Sequence, residues 1–286
     1  MAETTVTTLT ELIPTIVGAA LLEFEEGNVV QPLVTNIDFP GPGVVHQSAF
    51  VAKLAAEATD ALTSQALDSG TSVETSPRAA TVGVHASYVD LRDIAALGSI
   101  SDMAAVAGQM IGQSLVVRRD LDLVTLFALL TTNQGSATST TMAPADFYDA
   151  YGALRTYFAP LPYSLVLHPG QIWANKMVSE MFDGSSDSIQ SFGLGTVSED
   201  FARNGFAGRM FGFDLYADAN ITFGSTTGSG AAFSKVAFKN VIKRGFQIEI
   251  QRAAHTVSDL IVGSEIRGEG VLREKCGNEM QFCRWS

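Results

Sequence analysis

The residues of this chain that could do chemistry are few, and their spacing does not assemble a reaction centre. The four histidines are His46, His85, His168 and His255, and none has a second His, Cys or carboxylate at metal-ligand spacing along the sequence. Cys276 and Cys283 are the only cysteines; two thiols with no histidine nearby cannot close a zinc site, and a reduced pair is expected. No G-x-S-x-G elbow is present to expose a nucleophilic serine. The GSTTGSG run at 224–230 has the composition of a phosphate loop but lacks the Lys-Ser/Thr ending that reaches phosphate and magnesium. Gly193 and Gly195 begin a dinucleotide-type pattern that fails where Ser198 replaces the third glycine. Glu23, Glu25 and Glu26 fall on a helix face and read as solvated charge. The expectation is a protein with no catalytic residues, no metal site and no cofactor.

Composition narrows the classes further. With 286 residues, 46% apolar and 17% charged, the chain can bury a core of ordinary size and is not a disordered segment. A net charge of −12 argues against tight nucleic-acid binding by the chain as a whole. The charge is uneven: residues 235–286 carry nine Lys/Arg against six Asp/Glu (+3), and the remainder nine against twenty-four (−15). Met1, Ala2 and Glu3 do not open a signal peptide, and no run of 18 apolar residues suggests a membrane span.

The elements that would position any function are clearer than the function. Residues 99–131 place Ile100, Met103, Ala107, Met110, Ile111, Ser114, Val117, Leu121, Val124 and Ala128 at helical spacing, with Ser99 and Asp102 as a capping box. Asn133 and Gly135 are expected to stop this helix, giving a length of roughly 45–50 Å. Arg118, Arg119, Asp120 and Asp122 interrupt its middle. Upstream, Leu12, Ile13, Ile16, Ala20, Leu21 and Phe24 mark a short amphipathic helix. An arm holding Pro32, Pro40, Pro42, Gly41 and Gly43 follows, and residues 51–80 are then poor in bulky apolar side chains. Alternating Val82, Val84, Ala86 and Tyr88 predict a returning strand. Beyond the long helix, the spacing predicts a helix over 145–157 and a strand buried on both faces over 163–167. A second helix should follow His168 and Pro169 with Ile172, Trp173, Met177 and Met181, then a loop over 183–209. Strands are expected near 211–218, 231–238, 246–251, 257–266 and 270–273.

Taken in order, the sequence is similar to the major capsid proteins of tailed bacteriophages, the Hong Kong 97-type fold. Four stretches carry the likeness: LIPTIVGAALLEFEEGNVVQPLV, DIAALGSISDMAAVAGQMIGQSLVVRRDLDLV, LVLHPGQIWANKMV, and the closing segment from VAFKNVIKRGF to RGEGVLREKCGNEM. The resemblance implies an α+β fold with an N-terminal helix and arm over 1–48 and an extended loop over 49–81. A peripheral domain would combine 82–144, including the spine helix at 99–131, with closing strands over 231–286, and an axial domain would occupy 145–230. It implies a shell protein that self-assembles into hexamers and pentamers of an icosahedral virion head around double-stranded DNA, built in the bacterial cytoplasm. Scaffold, portal and possible decoration proteins would be its partners; no membrane would be involved. Lys53, Glu57, Asp60, Asp68, Glu74 and Arg78 would lie at the subunit interface formed by the extended loop. One lineage of the family makes an inter-subunit isopeptide bond from a loop lysine; Lys53 is the lysine of this loop, and the bond is not expected here. Two alternatives stand beside this reading: an encapsulin-like compartment shell with the same fold, and a soluble α+β enzyme of unknown reaction.

Overall fold

The computed structural model describes residues 17–20, 28–51, 75–92, 103–135, 144–174, 206–224, 228–253 and 255–282. The strands are β1 (Thr35–Asp38), β2 (Val45–Val51), β3 (Thr75–Thr81), β4 (Gly83–Arg92), β5 (Asn133–Gly135), β6 (Tyr163–Leu167), β7 (Phe206–Met210), β8 (Phe213–Ala217), β9 (Ser229–Ser234), β10 (Phe238–Ala253), β11 (Ser258–Val271) and β12 (Gly277–Gln281). The two long helices are α1 (Met103–Thr125) and α2 (Pro144–Thr156). The strands form a four-stranded sheet in the order β1-β10-β11-β4, a six-stranded sheet in the order β5-β12-β9-β6-β8-β7, and a separate β2–β3 hairpin.

Helix α1 serves both large sheets, because its apolar stripe changes partner halfway along. Ala107, Ile111, Leu115 and Val116 pack on Ile261 and on the inward side chains Val89, Phe246, Ile248 and Ile250 of the four-stranded sheet. The alternation expected over 246–251 is what gives β10 that inward face. Farther along, Leu123 and Val124 enter the larger core beside Phe147, Leu154, Leu165, Phe213 and Phe233 of the six-stranded body. Gly263 in β11 lets the helix approach: a Cβ there would stand 2.3 Å from Ile111 Cγ2.

The helix ends sooner than its sequence suggests. It stops at Thr125, so its 23 residues span about 35 Å. A tighter 3-10 turn over Leu126–Leu129 aims Phe127 at Phe233 and Phe238, with ring centroids 5.7 and 5.6 Å away. Asn133 and Gly135 are not a helix stop but a strand, β5, which pairs in parallel with β12. Sheet hydrogen bonding and the aromatic cluster outweigh the helical spacing there. The proposed cap at Ser99 and Asp102 lies outside the described residues.

Other segments depart in similar ways. The strands expected separately over 231–238 and 246–251 are β9 and the 16-residue β10, and those over 257–266 and 270–273 are one strand, β11. Residues 206–210, placed in a loop by the sequence, form β7 against β8. Strand β6 is buried along its whole length, between parallel β8 and antiparallel β9, as its YSLVL sequence predicts. After His168 a single π-helical turn spans Gly170–Ala174; Met177 and Met181 lie outside the described residues. No helix among the described residues is long and apolar enough to cross a membrane.

Candidate assembly elements and the charge cluster between them

The β2–β3 hairpin is the stem of the segment expected to be the extended loop, and the structure shows how that stem is fixed. A two-stranded hairpin is marginal in water by itself. Here Lys239, fully buried on β10, donates from Nζ to the Arg78 carbonyl (2.6 Å), to Ser48 Oγ (2.9 Å) and to the His46 carbonyl (3.4 Å). Both strands of the hairpin are thereby tied to the sheet through one ammonium group, whose pKa burial lowers. Backbone contact completes the seat. A Cβ on Gly268 would come within 2.2 Å of the Thr81 carbonyl oxygen, and one on Gly270 within 3.1 Å of the Ala79 carbonyl oxygen. These two glycines leave β11 flat where β3 crosses it. At the outer end, Arg78 Nη2 pairs with Glu274 Oε1 at 3.0 Å. Arg78 is the one expected interface residue that is described; Lys53, Glu57, Asp60, Asp68 and Glu74 lie outside the described residues.

On the opposite side of β11, Glu265, Arg267 and Glu269 alternate and face the middle of α1. The completely buried Arg267 bonds Asp122 Oδ2 at 3.0 Å and Glu265 Oε1 at 2.6 Å, and also pairs with Glu269. Arg119 bonds the second oxygen of Glu265, and Arg118 reaches Asp122 at 3.1 Å from one helical turn away. The charges interrupting the helix sequence therefore lie where α1 passes from one sheet to the other. Three arginines face three carboxylates, which is the balance a buried ionic cluster needs.

His85 joins this cluster from β4, its Nδ1 3.7 Å from Asp122 Oδ2. The fold thus brings to a histidine the carboxylates that its sequence neighbourhood lacks: His85, Asp122 and Glu269 offer ligand atoms within 4.8 Å of one another. The donor set does not fit a metal. Arg267 is already bonded to both carboxylates, and a cation among them would meet that buried guanidinium. Burial, and then the charge of Arg267, lower the His85 pKa. The sequence signal for the cluster was present in the alternation of 265, 267 and 269, but it could not say what lay opposite.

His168 stacks on Phe223 at 4.6 Å and accepts the Gly170 amide on Nδ1 at 2.9 Å. Burial lowers its pKa. His46 packs edge-on against Phe39, and His255 sits in the turn between β10 and β11. Cys276 is buried and unbridged, its thiol pKa raised by burial, and Cys283 lies outside the described residues.

Among the described residues, two apolar surfaces are left exposed. Strand β4 is an edge of the four-stranded sheet, and its outward side chains Val84 and Tyr88 are 68% and 72% exposed. On α1, Val106, Met110, Val117 and Leu121 fall on one stripe opposite the buried face, and all four are exposed.

No known family model and no curated protein matches the sequence. Solved structures do. The capsid of the cyanophage P-SCSP1u aligns with a TM-score of 0.67 at 17% identity, over 90% of this chain and 89% of that one. The capsid of a native GTA particle gives 0.62 at 10% identity over 90% of both chains. A virus-like particle from Pyrococcus furiosus gives 0.60 at 11% identity, over 94% of this chain and 98% of the other. Likeness at such low identity establishes the fold, and the chain has the Hong Kong 97-type fold of tailed-phage major capsid proteins.

Proposed function

We propose that this chain is the major capsid protein of a tailed-phage particle, assembling into the hexamers and pentamers of an icosahedral shell around double-stranded DNA. The observation that carries the reading is the match to phage capsid structures along nearly the full length of both chains, so that the whole molecule, and not one domain, is of shell type. The single chain agrees with it. An anchored hairpin stem, an apolar edge strand and an apolar helix stripe are surfaces that burial between copies would stabilise. The net charge of −12 suits a wall that holds its contents without gripping them. In this reading residues 49–81 lie on a neighbouring copy, with Lys53, Glu57, Asp60, Asp68, Glu74 and Arg78 at that contact. Residues 145–230 form the axial domain, 82–144 with 231–286 form the peripheral domain, and scaffold, portal and decoration proteins are the external partners. The chain acts as a structural protein and not an enzyme.

Electron microscopy of the expressed protein tests this. Closed or partly closed shells with six- and five-fold clusters are expected; a monomer at all concentrations overturns it. A second reading, an encapsulin-like compartment, draws on the near-complete coverage of the Pyrococcus furiosus virus-like particle. Particles from the native source separate the two: nuclease-protected double-stranded DNA supports the phage head, and enclosed protein supports the compartment.

A further inference from the structure

One pair of buried acids is outside the charge cluster and unused by the assembly argument. Asp120 on α1 is 1% exposed, and its carboxylate is the anchor for a segment 90 residues upstream. The Val29 amide donates to Oδ2 at 3.0 Å and the Val30 amide to Oδ1 at 3.3 Å. Val30 and Val34, on the same segment, are fully buried in the main core. A second contact lies about two turns earlier on α1: the Ala20 carbonyl sits over Gly112, where a Cβ would come within 2.6 Å of its oxygen. The entry of the chain into the fold is thus held on α1 largely through backbone groups, and Asp120 is the side chain that grips it.

Among the described residues, Arg119 is the cation that faces Asp120. It lies on the same helix, and its guanidinium is bonded to Glu265 of β11. From the end of β8 Asp120 faces Asp218, itself 3% exposed, with Oδ1 taken by the Asn220 amide at 2.8 Å and Oδ2 lacking a hydrogen-bond partner among the described residues. Behind Asp218 stands His168 at the end of β6. From the upstream segment come the two valine amides. Burial pushes the Asp120 carboxyl up to about 6, and the negative charge of Asp218 adds to the rise; the two amides and Arg119 pull it down. Burial also raises Asp218.

We propose that Asp120 and Asp218 form a proton-sensitive clasp that holds residues 28–34 more tightly on helix α1 as the pH falls. The sign follows from linkage. Lifting the segment exposes Asp120 to water and returns it towards an ordinary carboxyl, so the seated form is the one that takes up the proton. Acid therefore favours the seated form, and charge on both acids at neutral pH opposes it. With a seated value of about 6 and a released value of 3.8, the seated-to-released ratio rises about tenfold between pH 7 and pH 5.

Hydrogen exchange of the full-length protein reads this directly. Protection of peptides covering residues 28–34, corrected for the intrinsic pH dependence of exchange and referenced to β6, is expected to rise about tenfold from pH 7 to pH 5. Asp120→Asn, which is neutral throughout, should show a flat profile. Asp218→Asn removes the like charge and should keep the rise but move its midpoint to lower pH. Protection that falls on acidification, or an equal rise in Asp120→Asn, overturns the clasp. Should Asp120→Asn not fold, an unmoved midpoint in Asp218→Asn overturns it alone.

Discussion

Two buried cations explain more of this molecule than any of its histidines. Arg267 pairs with three carboxylates contributed by α1 and β11, of which Glu265 is fully buried while Asp122 and Glu269 are partly exposed. Arg267→Met keeps much of the side-chain volume but leaves those carboxylates without their central partner. Breaking one side of such a cluster costs about 3–5 kcal/mol, a large part of a domain's stability of about 5–15 kcal/mol. Purified Arg267→Met is therefore expected to show a strongly lowered denaturation midpoint or to be recovered insoluble. Lys239 acts more locally. Lys239→Met leaves two carbonyls and a hydroxyl without their donor, a loss of about 1–3 kcal/mol that falls on the hairpin. Hydrogen exchange should show β2 and β3 deprotected while β6 is unchanged.

The elements are arranged by where backbones can touch. Strand β3 crosses β11 at Gly268, where an added Cβ meets the Thr81 carbonyl at 2.2 Å, so Gly268→Ala must push the hairpin off its seat. Overpacking of this kind costs about 1–3 kcal/mol. The same substitution at Gly245, whose Cβ would meet nothing within 4 Å, is the control and should leave the denaturation midpoint nearly unchanged. If the two variants behave alike, close crossing at β11 is not what fixes the stem. Helix α1 has a comparable place at Gly112, where the upstream chain crosses it. The RGEGVLR run at 267–273 can now be read residue by residue. Arg267 and Glu269 face the helix side, its glycines face the hairpin, and Val271 packs against the main core.

At the scale of the whole molecule, the hairpin stem is anchored on the four-stranded sheet through Lys239. Replacing residues 54–74 with a short Gly/Ser linker keeps β2, β3 and the Lys239 anchor, so circular dichroism and the unfolding transition should stay close to those of the parent chain. Closed shells should be lost, because the segment assigned to a neighbouring copy is gone. Normal particles from the shortened chain would remove the mechanical basis of the proposed assembly, whatever the fold.

The sequence by itself determined the local faces: the inward apolar set of β10, the wholly buried β6, the middle of α1 and the extent of α2 within a residue at each end. Those are short-range properties, set by the 3.6- and 2-residue periods of side-chain direction. It also supported the likeness of the chain to shell proteins, through the order of its elements. Only the tertiary structure decided where α1 stops, because Phe127 and the pairing of β5 with β12 compete with further helical turns. It alone found the partners of the buried charges. Arg119 meets Glu265 across 146 residues, Lys239 meets Arg78 across 161, and Asp120 meets Val29 across 91. Periodicity says which face of an element is buried, but the residue that comes to lie opposite depends on closing long loops and on the few glycines where backbones can pass. A lysine in an apolar strand and an arginine between two glutamates become anchors only once those crossings exist.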